Sequence, residues 1–363
     1  MDDVARAGRE PDCRVVVVDD STHETHRRCN ERIVSICAQD WLVYHGPEEQ
    51  RRLLDDVGHL PGLSRFIRPL GHPTWDLGAV RNYMGLLATM LGGTSAIVFM
   101  IDDDVVVLPP PGPCGSSLCL LEKAVASSPG TIAGGRLLGA PDVSRVEAVL
   151  RRCGDTPLFD LALRPHRLPI SGGFLAYDSV WARRVCFPRT YNEDWIWLLH
   201  CASRGASLAT TDATGDHRSV TKDRVDDDEL ARELLGEILF EGWYRVATRR
   251  DPGTEDHEQA LTQPSLWEAL LREEQSRIAR LDAAAGDAMA NGHRSAAVEP
   301  ARAAVARERS NLARLDAGQL ARFSRDYFAN LRAWQVLTRA LLQRRRLARA
   351  GCGRMLANLP TSR

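Results

Sequence analysis

Two short apolar runs that each end in acidic residues constrain this chain most. The run 14–18 (RVVVV) precedes Asp19-Asp20, and the run 96–101 (AIVFMI) precedes Asp102-Asp103-Asp104. Runs of this length, rich in β-branched and aliphatic residues, are typical of strands buried inside a sheet. Open α/β sheets bind ligands at the carboxyl ends of their strands. The sequence therefore predicts an α/β fold with two acidic clusters at the ligand-binding edge of the sheet.

Helical patterns alternate with these runs. The segment 78–91 places apolar residues at helical spacing. The remaining predicted elements are short strands over 42–44 and 131–133 and helices over 47–57, 118–127 and 179–185. Strands and helices that alternate along the chain are typical of a largely parallel sheet covered by helices. We therefore expect a mostly parallel, Rossmann-like sheet flanked by helices.

The chain changes character near residue 225, where an almost wholly helical pattern begins. Its two longest helical stretches are 266–281 and 301–347, and the small, polar segment 283–295 separates them. A chain of 363 residues suits one large domain and a smaller one. We predict an α/β domain over 1–224 and a helical C-terminal region over 225–363.

Composition excludes several classes of protein. The net charge is -1, so no broad attraction to nucleic acid is expected. The nine cysteines include no C-x-x-C pair, which favours reduced thiols in a cytoplasm over a zinc site or a disulfide framework. No apolar run approaches the roughly 18 residues that a membrane-spanning helix needs. We therefore expect a cytoplasmic protein without a transmembrane segment.

The C-terminal stretch 301–363 is rich in arginine, with fourteen Arg and no Lys. It could pack on the rest of the chain and close an acceptor site, form an oligomer interface, or lie on an anionic membrane surface. Trp334 and several Leu and Ala residues recur at helical spacing. That pattern favours an ordinary packed helix, and the oligomeric state stays open.

The acidic triplet after the second apolar run is the strongest candidate for a metal site. Asp102 and Asp104, on either side of Asp103, can hold a hard divalent cation that takes further ligands from water and phosphate. Such a cation neutralises a diphosphate leaving group as a Lewis acid. His217 could complete the site, although a single histidine in a loop is usually a surface residue. The alternative for the triplet is a solvated acidic turn.

Two further positions have the chemistry to bind a nucleotide. Asp20, at the end of the first strand, can accept a hydrogen bond from a base or ribose, or simply form a turn. Arg81, in the first turns of the 78–91 helix, has a forked guanidinium suited to phosphate or to a base carbonyl. The alternative for Arg81 is an exposed position on an amphipathic helix.

Glu193-Asp194 opens a helix beside Trp195. A carboxylate held there could act as the general base for an acceptor hydroxyl. The alternative is an acidic first turn that complements the helix dipole. Asn192 could cap this helix through its short polar side chain.

Taken in order, these motifs resemble glycosyltransferase family 2, with the GT-A fold. The series is VVVVDDS, GAVRN, IVFMIDDD, SGGFLAYDSVW, NEDW and a later His, and it covers about residues 14–220. The resemblance implies a metal-dependent glycosyltransferase that uses Mn²⁺ or Mg²⁺. Its donor would be a nucleotide-sugar, most commonly a UDP-sugar, and its acceptor is not identified.

The resemblance also implies a role for each matching residue. The donor-binding residues would be Asp19, Asp20, Arg81, Asp102, Asp103, Gly172 and Gly173. The metal ligands would be Asp102, Asp104 and His217. Asp194 would be the catalytic base of an inverting reaction, with Glu193 beside it.

The chain departs from the family pattern at its start. Family members carry an earlier strand and helix before the first acidic cluster, whereas about a dozen residues precede Val15 here, and DDST replaces DDGS. A degenerate scaffold or binding protein is therefore one alternative. A nucleotidyltransferase is another, but residues 19–30 lack the glycine-rich loop that it would carry. A phosphohydrolase is disfavoured because Ser21 stands where its second aspartate would be.

Overall fold

The chain folds into an α/β structure with more helix than strand. The computed structural model describes residues 14–37, 42–57, 60, 62–72, 76–92, 96–110, 116–138, 168–218, 227–248, 257–290 and 298–349. Its strands are β1 (Val15–Val18), β2 (Leu42–His45), β3 (Ile97–Ile101), β4 (Val105–Leu108), β5 (Thr131–Leu138), β6 (Phe174–Asp178) and β7 (Ser207–His217).

The helices alternate with the strands in the first part of the chain and follow one another after β7. They are α1 (Glu24–Cys37), α2 (Pro47–Val57), α3 (Leu77–Gly92), α4 (Ser117–Ser127), α5 (Ser179–Arg184), α6 (Glu193–Ser203), α7 (Asp227–Ala247), α8 (His257–Leu261), α9 (Pro264–Ala290), α10 (Val298–Leu312) and α11 (Ala317–Arg349). A 3₁₀ turn covers Leu63–Arg65. The predicted short helices and strands of the first part are thus present.

The sheet is mixed, so the prediction of a mostly parallel sheet is wrong. β1 and β2 form a parallel pair, and the other strands lie in the order β3-β6-β5-β7-β4. β6 runs antiparallel to both neighbours, β4 runs antiparallel to β7, and within this sheet only the β5–β7 pair is parallel. Hydrophobic periodicity predicts a strand but not its direction, which is set by the connections between strands.

The β3–β6 pair places the acidic triplet against the glycine-rich segment. Ile101 pairs with Phe174 at the end of the antiparallel ladder. The ladder continues for one more step, because the Asp102 N–H donates to the carbonyl of Gly173 at 3.0 Å. Gly172 and Gly173 therefore enter β6 directly beside the end of β3.

β7 has no counterpart among the predicted strands, because its sequence SLATTDATGDH has no apolar run. β5 pairs with β7 along most of its length, from Ser207 to Asp216, and β4 pairs with its last residues, where Val105 lies opposite His217. Pairing with neighbouring strands, rather than propensity, holds this strand in the sheet. As a result His217 lies at the end of a strand and not in a loop.

Helix α3 is largely buried and joins the two groups of strands of the α/β part. The Asn82 side chain bonds the backbone of Phe66 and Phe187, with a Phe187 N–H to Oδ1 distance of 2.7 Å. The Tyr83 hydroxyl contacts His45 Nδ1 at 3.1 Å, which ties β2 to this helix. These contacts fix the first turns of α3, where Arg81 lies.

The helical C-terminal region packs directly on the α/β part. α11 donates four side-chain hydrogen bonds to carbonyls at or just beyond the end of α5. These bonds join Trp334 to Ala182 (2.8 Å), Tyr327 to Cys186 (2.8 Å), Thr338 to Arg183 (2.9 Å) and Gln335 to Arg184 (2.9 Å). The interpretation of the Trp334 helix as a packed helix is thus confirmed.

The predicted boundaries inside the helical region need correction. α9 continues through Ala290, so the small, polar segment is partly helical, because Ala is a strong helix former. The predicted 301–347 helix is two helices, α10 and α11, separated at residues 313–316. The predicted domain boundary at 224–225 lies outside the described residues. In the part of the chain that the structure describes, no helix has both the length and the apolar character to cross a membrane.

Candidate active site at the end of strand β3

One buried arginine gathers three carboxylates at the end of β3. Arg81 is 3% exposed, and its Nη2 donates to both carboxylate oxygens of Asp102 at 3.1 and 3.2 Å. Its Nη1 lies 2.8 Å from Glu193 Oε1 and 3.9 Å from Asp194 Oδ2. The Glu193 contact lacks the angle of a hydrogen bond, since Nη1 has no hydrogen-bond acceptor among the described residues. Residues far apart in sequence thus meet around one guanidinium.

This cluster has three acids and one arginine, and the pKa of Glu193 is the one most affected. Burial raises the pKa of Glu193 to about 8, against the opposing effect of Arg81, and the neighbouring charge of Asp194 raises it further. Arg81 stays charged, because its carboxylate neighbours outweigh the cost of burial and raise its pKa. Glu193 therefore holds a proton at neutral pH, which leaves one guanidinium facing two carboxylates.

Asp194 is held against the glycine-rich segment. Its Oδ2 accepts the Gly172 N–H at 2.7 Å, and its side chain is 15% exposed. A Cβ added at Gly172 would lie 2.4 Å from both Arg81 Nη1 and Asp194 Cβ. A Cβ at Gly173 would lie 3.1 Å from Asp102 Oδ2. Glycine at these two positions therefore lets the loop approach the charged cluster closely.

The rest of the acidic triplet faces β7. Asp104 Oδ2 lies 3.0 Å from His217 Nε2, and the Arg218 N–H donates to the Asp104 carbonyl at 2.7 Å. Burial raises the pKa of Asp103, and the charges of its two aspartate neighbours raise it further. The two outer aspartates of the triplet thus have different partners, because Asp102 binds Arg81 while Asp104 contacts His217.

Asp104 and His217 are the residues here that fit a divalent cation. A carboxylate and an imidazole side by side are two suitable ligands, and both side chains are partly exposed, at 38% and 26%. No set of three or more His, Cys, Asp or Glu side chains with metal-binding spacing occurs in the described ranges. A cation at this pair would therefore take its remaining ligands from water and phosphate.

The acids at the end of β1 form a separate cluster. Asp20 accepts two hydrogen bonds from Arg68, at 2.5 and 3.2 Å, and one from the Gly71 N–H at 2.8 Å. Asp19 is 4% exposed and accepts from Ser21, Tyr44 and Asn30. Burial would raise the pKa of Asp19, but these hydrogen bonds outweigh it and lower the pKa.

The structure thus brings together most of the predicted site residues but not all. Asp102, Glu193, Asp194, Gly172 and Gly173 meet at Arg81, and Asp104 meets His217. Within the described part of the chain, no hydrogen bond or ion pair links Asp19 or Asp20 to that cluster. Sequence reasoning missed Arg68, because the arginines of the segment RFIRPLG belong to no recognised motif.

Comparison with protein-family models and with curated proteins finds no match to this chain.

Proposed function

We propose that this chain is a metal-dependent glycosyltransferase of the GT-A type that transfers a sugar from a nucleoside-diphosphate donor to an acceptor. One observation carries the proposal. Arg81, Asp102 and Asp194, up to 113 residues apart in sequence, meet at the carboxyl end of β3 and adjoin the Gly172-Gly173 loop. Groups of opposite charge that converge at a strand end are typical of ligand sites in α/β proteins.

Asp194 is the base in this proposal. Its hydrogen bond from Gly172 falls on Oδ2, so Oδ1 is the oxygen that takes the proton of an acceptor hydroxyl or amine. The proton leaves as the acceptor attacks the anomeric carbon, and the nucleoside diphosphate departs. Glu193, which is protonated, limits the negative charge beside Asp194.

Arg81 and Asp102 orient the donor in this proposal. Arg81 neutralises charge near the diphosphate, and Asp102 sets the direction of the guanidinium through its two hydrogen bonds. Asp104 and His217 would hold the Mn²⁺ or Mg²⁺ ion, whose chemistry is to screen the charge of the leaving diphosphate. Asp20, whose carboxylate is held by Arg68, would contact the nucleotide base of the donor in this proposal.

A non-catalytic binding protein is the second candidate, and a specific observation favours it. Arg81 and Asp20, two of the residues predicted to bind the donor, are both paired with groups of the chain itself. In such a protein the two ion-paired clusters would be structural. Binding and transfer experiments separate the two candidates.

The first experiment is titration calorimetry of the full chain with UDP, GDP and dTDP, each with and without Mn²⁺. We expect one diphosphate to bind only with the metal, and Asp104→Ala to abolish that binding. Asp216→Ala is the matched control, because Asp216 lies next to His217 but pairs with Arg218. Absence of binding by all three diphosphates would overturn the proposal and favour the non-catalytic candidate.

A further inference from the structure

Asn192 has a backbone conformation that no other non-glycine residue adopts in the described part of the chain. Its φ is 57° and its ψ is 32°, which is the left-handed helical region. That region costs most side chains about 1–2 kcal/mol and is most tolerable for Gly, Asn and Asp. The residue directly precedes Glu193-Asp194, so the left-handed turn adjoins two residues of the candidate active site.

The side chain of Asn192 does not perform the capping role that the sequence predicts for it. Asn192 is the N-cap residue of α6, but its side chain makes no capping hydrogen bond. An N-cap asparagine normally has an extended backbone and accepts a bond from the first helical turn. Its Nδ2 is buried without a hydrogen-bond partner among the described residues. A local capping role therefore does not explain why asparagine stands here.

Helix α7 of the C-terminal region packs closely against this turn. Gly236 of α7 lies so close to Tyr191 that an added Cβ would be 2.4 Å from the Tyr191 carbonyl oxygen. Tyr191 directly precedes Asn192, so α7 limits where the turn can lie. The Asn192 carbonyl oxygen accepts the Ile196 N–H at 3.1 Å, and this hydrogen bond begins α6.

We propose that Asn192 is a positioning residue whose left-handed backbone directs Asp194 onto Gly172, with α7 supporting the turn at Gly236. The inference rests on the proposed function for its catalytic meaning. A turn with an ordinary backbone at position 192 would enter α6 at another angle. It would therefore rotate Asp194 away from the Gly172 N–H that Oδ2 now accepts at 2.7 Å.

The test is amide hydrogen exchange of Gly172, followed by NMR on the full chain, because this N–H reports the Asp194 position without catalysis. In Asn192→Ala we expect exchange about five- to thirtyfold faster, which corresponds to the loss of the left-handed turn. In Asn192→Gly, which keeps left-handed backbone without strain, we expect exchange as in the wild type. Equal acceleration in both variants, or none in either, would overturn the inference.

A second pair of variants tests the contact between α7 and the turn at Tyr191. Gly236→Ala should accelerate exchange at Gly172, because its Cβ displaces Tyr191. Gly286→Ala is the matched control in α9, where an added Cβ meets nothing within 4 Å. If Gly236→Ala leaves Gly172 protected, the support from α7 is disproved.

Transfer kinetics add a readout that distinguishes this inference from the proposed function. Asn192→Ala should lower kcat without changing KM for the donor, and Asn192→Gly should restore kcat. If the wild type transfers no sugar, the proposed function fails while the exchange experiment still decides the role of Asn192. If transfer occurs and kcat of Asn192→Ala is unchanged, the positioning role is disproved.

Discussion

The molecule contains two arginine–aspartate clusters at strand ends, and they differ in how many acids share the arginine. At the end of β1, Arg68 pairs with Asp20, and the Gly71 N–H satisfies the same carboxylate. At the end of β3, Arg81 faces Asp102, Glu193 and Asp194 together. The side chain of Asp20 is 28% exposed, whereas that of Glu193 is 4% exposed. In the first cluster Arg68 pairs with Asp20 alone, while neutral donors satisfy the neighbouring Asp19. In the second cluster three acids share one buried guanidinium.

This difference indicates which cluster is suited to bind a ligand or to exchange a proton. A one-to-one pair with every oxygen bonded stabilises a turn and has little left to offer a ligand. Crowded acids around one buried arginine are costly to maintain and shift one another's proton affinity, which is typical of active sites. We therefore propose that the reaction takes place at the Arg81 cluster, with the Asp20–Arg68 pair as a structural support.

The largest expected effect comes from Asp194→Asn in the Arg81 cluster. The amide can still accept the Gly172 N–H but cannot take a proton from an acceptor, so kcat should fall by about 10²–10⁴-fold. Donor affinity should stay unchanged, and steady-state transfer kinetics with calorimetry measure the two quantities.

The control for that variant is Asp20→Asn in the Arg68–Asp20 pair. It weakens the ion pair to Arg68 but removes no base, so it should change KM for the donor more than kcat. An Asp194→Asn protein that retains wild-type kcat would contradict the assignment of the base.

The next effect is on stability and compares the two arginines. Arg81→Met leaves buried carboxylates without their cation and should lower the free energy of unfolding by about 3–5 kcal/mol. Arg68→Met should cost less, about 1–3 kcal/mol, because Asp20 keeps its bond from Gly71 and part of its exposure to water.

Urea denaturation of the two variants beside the wild type measures this difference. Arg218→Ala is the control, because it removes a partly exposed pair with Asp216 and should change stability by about 1 kcal/mol at most. A cost for Arg68→Met equal to that for Arg81→Met would remove the contrast between the clusters.

The third effect is the pH dependence of stability that Glu193 confers. Its pKa is about 8 in the folded chain, above the ordinary value of 4.5, so the folded state holds a proton that the unfolded chain releases. The contribution of Glu193 to stability therefore falls as pH rises from 4.5 to 8, and it is fully lost above pH 8.

Glu193→Gln removes this group and should flatten the fall in the free energy of unfolding across that range. Urea denaturation at several pH values, compared with the wild type, gives the difference in slope. If the wild type and Glu193→Gln have the same slope, Glu193 is ionised in the folded chain and the interpretation of the cluster is wrong.

Much of the α/β part could be predicted from local patterns. Helix α2 has the predicted bounds, and β1 and β3 end where acidic residues begin, because burial and turn formation act on neighbouring residues. β7 could not be predicted, since its Thr, Gly and Asp residues have no strand pattern and its partners come from β5 and β4.

The sequence by itself determined the order of the motifs, the acidic ends of the buried strands and the residue types that could carry chemistry. Only the tertiary structure decided the strand directions, the pairing of Asp20 with Arg68, the meeting of Arg81 with three acids and the left-handed turn at Asn192. The reason is physical: propensity and periodicity act over a few residues. Charge balance, strand pairing and backbone strain depend instead on groups that the fold brings together from distant parts of the chain.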